Sequence, residues 1–129
     1  MAEVNKKTVL LIEDDIFLSQ LLTTRLQKAG IQVVKVFDGE AAIETLKTTK
    51  PDLMLLDIIL PKKSGFEVME EINSNPMLKD GPIIVISNLG QDADVARGKA
   101  LGAAEYLIKA QIGIDDLVEK IKSFLEVRV

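Results

Sequence analysis

The sequence predicts an α/β domain, a doubly wound parallel sheet of five strands with helices on both faces. Short apolar runs rich in branched residues alternate with segments of helical spacing, strand then helix, five times over. The runs are continuously apolar, the pattern of strands buried on both faces. Turn residues mark the changes of period.

The strands are read from Val9-Leu10-Leu11-Ile12, Val33-Val34, Leu53-Met54-Leu55-Leu56, Ile83-Ile84-Val85-Ile86 and the shorter Tyr106-Leu107-Ile108. The second ends in alternation at Lys35 and Val36, which suits an edge strand. After the first strand, Leu18, Leu22 and Leu26 recur every four residues, with Leu21 and Ala29 on the same side. Ala42, Ile43 and Leu46 repeat the spacing, as do Phe66, Met69 and Ile72. Val95, Ala96 and Ala100 give the weakest stripe, and Ile114, Leu117, Val118, Ile121 and Leu125 the clearest. Gly30 and Gly102 follow helical segments, where a left-handed closing residue is common. Pro51 and Pro82 precede strands, while Asn75-Pro76 and Asp80-Gly81-Pro82 are turn signals.

The 129 residues fit one domain, 1–129, with a core from about 8 to 125. Apolar residues make up 47% and charged residues 28%, the balance of a globular domain. The net charge of −4 lacks the basic footprint of a nucleic-acid binder. There is no Cys, which removes disulfides, thiol nucleophiles and thiolate metal sites; there is no His, which removes imidazole metal sites and Ser-His-Asp triads. Residues 1–7 are polar, unlike a signal peptide, and no apolar run reaches the roughly 20 residues needed to span a bilayer. These features predict a cytoplasmic domain without membrane insertion or direct nucleic-acid contact.

In an open sheet of this class, ligands bind beyond the carboxyl ends of the strands. Glu13-Asp14-Asp15 follows the first strand, Asp57 the third, Ser87-Asn88 the fourth and Lys109 the fifth. Each alone has an ordinary reading: Asp15 as a helix cap, Ser87 as a turn residue, Lys109 as a solvated surface charge. Together they place three carboxylates, a hydroxyl and an ammonium at one edge. Two like charges ~4 Å apart repel by about 1 kcal/mol in water and about 4 kcal/mol at an effective dielectric near 20. Glu13, Asp14 and Asp57 together are therefore unfavourable unless a cation neutralises them or one stays protonated. With only oxygen ligands, a hard ion such as Mg²⁺, or Mn²⁺, is the candidate. Such a cluster beside Lys109 and Ser87 suits a phosphoryl group, and a central carboxylate, Asp57, can itself be the nucleophile.

Val9-Leu-Leu-Ile-Glu-Asp-Asp15, Asp57-Ile-Ile-Leu-Pro61 with Gly65, Ile83-Ile-Val-Ile-Ser87 and Gly102-Ala-Ala-Glu-Tyr-Leu-Ile-Lys109 resemble the receiver domain of response regulators in two-component signalling. The resemblance runs from about Thr8 to Leu125 and implies a (βα)5 flavodoxin-like fold with strand order 2-1-3-4-5. It implies that Asp57 accepts a phosphoryl group from a sensor histidine kinase or phosphotransfer protein. Asp14 would bind Mg²⁺ directly and Glu13 through water, with Asp57 and the Ile59 carbonyl completing the protein ligands. Lys109 would contact the phosphoryl oxygens. Ser87 would move toward the phosphate and Tyr106 would turn inward, reshaping the face of helix four, strand five and helix five for a downstream effector protein. The chain would be a monomer or a phosphorylation-dependent dimer. It would catalyse its own phosphoryl transfer and slow autodephosphorylation rather than conventional turnover.

Three features depart from the family pattern. Ala110 replaces the usual proline after Lys109; a cis bond there would cost ~3 kcal/mol, so a trans bond and an altered loop are expected. Asn88 stands where a small residue is usual in the family, and Ile59 and Leu89 are apolar at positions that the resemblance places beside the path of hydrolytic water, which predicts a long-lived phosphorylated form. Other readings compete. A flavodoxin-type FMN protein would want Ser, Thr and Gly in place of Glu13-Asp14-Asp15, and a phosphohydrolase would want an acid at Ile59. A phosphate-independent interaction module remains an alternative, as does the regulatory domain of a longer response regulator. With only residues 126–129 after the last helix, a stand-alone receiver is the other expectation.

Overall fold

A computed structural model describes residues 6–78 and 81–126 of the chain. Asp80 of the expected Asp80-Gly81-Pro82 turn lies outside the described residues, as do 1–5 of the polar start and 127–129 of the tail.

The elements alternate as expected: β1 (Thr8–Ile12), α1 (Ile16–Lys28), β2 (Gln32–Val36), α2 (Gly39–Leu46), β3 (Leu53–Leu56), α3 (Gly65–Ser74), β4 (Ile83–Ser87), α4 (Asp92–Ala100), β5 (Glu105–Ile108) and α5 (Ile114–Leu125), with a 3₁₀ turn at Lys109–Gln111. All five strands are parallel, in the order β2-β1-β3-β4-β5. Leu10 lies opposite both Val34 and Met54, and Val85 opposite Tyr106.

The continuous apolar runs have the predicted cause. Leu10, Ile12, Met54, Leu56 and Val85 pack with α2 and α3 on one face. Val9, Leu11, Leu53, Leu55, Ile84 and Ile86 pack with α1 and α5 on the other. Successive strand residues point to opposite faces, so a strand covered on both must be apolar throughout. β2, at the edge, keeps Gln32 and Lys35 exposed and Val33 and Val34 half-buried.

Local chemistry sets the helix ends. The Asp15 carboxylate accepts from the Phe17 and Leu18 amides at 3.0 and 3.2 Å, capping α1 as its type and place predict. Ser64 and Glu67 form a reciprocal capping box on α3. Gly30 and Gly102 take φ of +81° and +107°, closing α1 and α4 in the left-handed region.

Two helical stripes need correction. Leu21 is 47% exposed, because the buried side of α1 runs through Leu22 and Leu26 and Leu21 falls at its margin. In α4 the expected Ala96 and Ala100 face outward, Val95 is half-buried, and the buried residue is Gly98. An alanine stripe is a poor guide because its methyl groups bury too little area to orient a helix.

Candidate functional site

The strands deliver their following residues to one edge. The Glu13 amide donates to the Val36 carbonyl at 3.1 Å and the Asp57 amide to the Ile12 carbonyl at 3.0 Å, so both acids continue the sheet's hydrogen bonding. Their side chains are nearly enclosed, at 1% and 5% exposure, while the adjacent Asp14 is exposed. Glu13, Asp14 and Asp57 each offer a carboxylate oxygen within 4.8 Å of the others.

Lys109, just past β5, reaches back across the edge. Its Nζ donates to Asp57 Oδ2 at 2.8 Å and lies 2.8 Å from Glu13 Oε1. The second contact is an ion pair without hydrogen-bond alignment, which leaves Oε1 buried and without a donor. Asp57 Oδ1 accepts from the amides of Ile58 at 2.7 Å and Ile59 at 3.3 Å. One oxygen of Asp57 is thus held by backbone amides and the other by a side-chain ammonium.

Ser87, fully buried at the end of β4, accepts from the Leu89 amide at 3.3 Å through its hydroxyl oxygen. Its own proton remains available for donation. The carbonyl of the same Leu89 accepts from the Tyr106 hydroxyl. Tyr106 is 9% exposed, with its ring inside the sheet–α4 face.

Residues 9–122 match the response regulator receiver domain family. The chain belongs to that family. It is 37% identical over 95% of its length to the protein named probable transcriptional regulator ycf27 of Cyanophora paradoxa, covering 50% of that relative. It is 31% identical over 91% of its length to the DNA-binding dual master transcriptional regulator RpaA of Synechocystis, covering 48% of it. The chain therefore spans about half the length of the curated relatives it matches. Among solved structures, the phosphorylated cyanobacterial phytochrome response regulator RcpA superposes with a TM-score of 0.86 at 31% identity, covering 97% of this chain and 98% of that one.

In this receiver domain the acid cluster is electrostatically incomplete. Burial pushes the Glu13 carboxyl up to about 7; Lys109 and the Asp15 amide, which donates to Oε2 at 3.1 Å, pull it down, and the Asp57 charge adds to the rise. Burial also works against the Lys109 charge, but the Asp57 and Glu13 contacts prevail and hold that ammonium above its ordinary value. Burial raises the Tyr106 phenol, helped by the charges of Asp94 and Asp57. One ammonium facing two buried carboxylates and a third at the rim leaves negative charge unmatched. The buried Glu13 Oε1 without a donor, and a donor set made only of oxygens, fit a hard divalent cation.

The residues expected at the site are therefore together: Glu13, Asp14, Asp57 and Lys109 in direct contact or within one ion's reach, with Ile59 joined to Asp57 through its amide. Ser87 and Tyr106 meet through Leu89. The Tyr106 ring, expected to turn inward as the switch operates, is inward already. Ala110 follows Lys109 in the 3₁₀ turn, and there is no cis peptide bond among the described residues. Asn88 is exposed. Sequence reading treated Leu89 only as an apolar side chain; its backbone amide and carbonyl, which every residue type shares, give no signal in a sequence.

Proposed function

We propose that this receiver domain, taken as one unit, is a phosphorylation-dependent signalling switch in which Asp57 accepts a phosphoryl group from the phosphohistidine of a sensor kinase or phosphotransfer protein. The observation that carries this reading is the unequal tethering of Asp57. Backbone amides hold Oδ1, which fixes the carboxylate, while Oδ2 has only the side-chain ammonium of Lys109. In the transfer, a bond forms from Asp57 Oδ2 to phosphorus as the phosphorus–nitrogen bond of the donor imidazole breaks. Lys109 then shifts its hydrogen bond from Oδ2 to a phosphoryl oxygen, a contact whose charge complement grows as the group arrives. Ser87, with its oxygen engaged by Leu89, turns its free proton to a second phosphoryl oxygen.

Asp14, Asp57 and the Ile59 carbonyl would hold Mg²⁺ or Mn²⁺, with Glu13 reaching it through water; the ion supplies positive charge against the phosphoryl oxygens. The new contacts of Ser87 bear on Leu89, whose carbonyl holds the Tyr106 hydroxyl, and so fix the inward ring and the α4–β5–α5 face that a downstream effector protein would read. The reading carries a cytoplasmic location with it.

Intact mass after incubation with acetyl phosphate tests the proposal. A single phosphoryl adduct is expected, absent without a divalent cation and absent in Asp57→Asn. If neither that adduct nor a beryllofluoride complex forms, a phosphate-independent interaction module becomes the better reading.

The lifetime of the adduct is a separate expectation. Ile59 is 59% exposed beside Asp57, and Leu89 is half-buried next to Ser87, so apolar groups flank the approach of water. In Ile59→Asn an amide able to orient that water replaces one of them. Loss of the adduct, followed by mass, should speed severalfold in the variant; an unchanged or slower rate overturns the expectation.

A further inference from the structure

Resting on the switch reading above, we infer that Gly98 in α4 is a positioning residue that holds the Tyr106 ring inward before any phosphoryl group arrives. A Cβ at position 98 would lie 2.5 Å from Tyr106 Cδ2 and 2.8 Å from Cε2. The ring therefore occupies the space that any other side chain at 98 would fill. Gly98 is the buried residue of a helix that is otherwise mostly exposed, and it lies within the last turn, where glycine is still a poorer helix former than alanine. A packing role accounts for a glycine there where helix propensity does not.

α3 contacts α4 on both sides of Gly98, which favours relief of such a clash by movement of the ring. The Arg97 guanidinium sits 4.3 Å over the Phe66 ring and 3.6 Å from Glu70. One turn on, Asn73 Nδ2 donates to the Leu101 carbonyl at 2.7 Å. The ring has the freer exit, since its anchor at the far end is a single hydrogen bond from its hydroxyl to the Leu89 carbonyl. A methyl group at 98 then drives Tyr106 outward, breaks that bond, and loosens the Leu89 amide that orients the Ser87 hydroxyl. Gly98 thus sets the resting position of the switch toward the inward arrangement.

Tyr106 is the protein's single tyrosine and there is no tryptophan, so its intrinsic fluorescence reports this ring alone. In the wild-type protein without phosphoryl donor, acrylamide should quench that emission weakly, and beryllofluoride with Mg²⁺ should change the quenching little. In Gly98→Ala, quenching of the unliganded protein should rise severalfold, and beryllofluoride affinity, read by ¹⁹F NMR, should fall. Strong quenching of the wild type, or equal quenching in both proteins, overturns the inference.

A second measurement keeps the test independent of how well Gly98→Ala folds. In a Tyr106→Ala background, where no ring fills the space, Gly98→Ala should raise the unfolding midpoint through its better helix propensity. In the wild-type background it should lower the midpoint or raise it less. Equal shifts in the two backgrounds overturn the inference. Failure of beryllofluoride to bind wild type, with the tyrosine results as expected, removes the switch reading and leaves the seat for the ring standing.

Discussion

Lys109→Met is expected to destabilise the folded chain by on the order of 3 kcal/mol at neutral pH in the absence of divalent cations. It should also slow phosphoryl transfer by roughly 10²–10³-fold. The lysine is the cation 2.8 Å from both enclosed carboxylates, and its own side chain is only 18% exposed. Methionine keeps the apolar stem and removes the charge, which leaves Asp57 without its ion pair and drives Glu13 toward its protonated form in a poorly solvated pocket.

The loss should depend on pH in a defined direction. Glu13, raised from 4.5 to about 7, binds a proton when folded over a range where the unfolded chain has released it. Its burial therefore costs most above that range and nothing below it, and removal of the lysine raises Glu13 further. Urea midpoints of variant and wild type should differ more at about pH 8 than at about pH 5. Mg²⁺ should restore part of the difference, since it returns positive charge to the same oxygens. An equal loss at both pH values, untouched by Mg²⁺, would show that Lys109 acts through packing alone.

Gly65→Ala should damage both stability and chemistry. A Cβ on Gly65 would lie 2.3 Å from the Asp57 carbonyl oxygen, 2.7 Å from Ile58 Cα and 2.9 Å from Ile58 Cδ1. Two of these atoms are backbone and cannot rotate away, unlike the ring beside Gly98. The Gly65 amide also donates to the Ile58 carbonyl at 2.8 Å, binding the start of α3 to the loop that carries Asp57. Overpacking of this kind costs about 1–3 kcal/mol. Relief requires the Asp57–Ile59 segment to move, and a shift of ~1 Å at a reacting group can slow a reaction by about 10²-fold. The expected result is a lowered urea midpoint together with a slower rise of the phosphoryl adduct in intact-mass measurements. A variant that loses stability yet forms the adduct at the wild-type rate would show that the loop relaxes without displacing Asp57.

Much of this is legible in the residue pattern. The unbroken runs Leu53–Leu56 and Ile83–Ser87 announce strands covered on both sides, and the mixed β2 announces an edge. Asp15 and Gly30 carry their roles in their residue types, because capping and left-handed closure are local chemistry. α4 was harder to read. Its two alanines pointed to the wrong face because the contact that docks it is the absence of a side chain at Gly98 against a ring eight residues away. Leu89 gives no sequence signal as a joint between Ser87 and Tyr106 for a related reason: its backbone makes both contacts.

Chain order alone brings Glu13, Asp57, Ser87 and Lys109 to one edge. Parallel strands all end on the same side, so a residue that follows a strand is carried there by connectivity alone. Packing in three dimensions is what buries Glu13 and leaves its neighbour Asp14 exposed, selects the Asp57 oxygen that faces Lys109, and seats Tyr106 inward. Those outcomes depend on separations of ångströms between residues up to 96 positions apart (109 − 13). No local propensity sets such distances; they arise when both faces of the sheet close and each charge must find its partner in the space that remains.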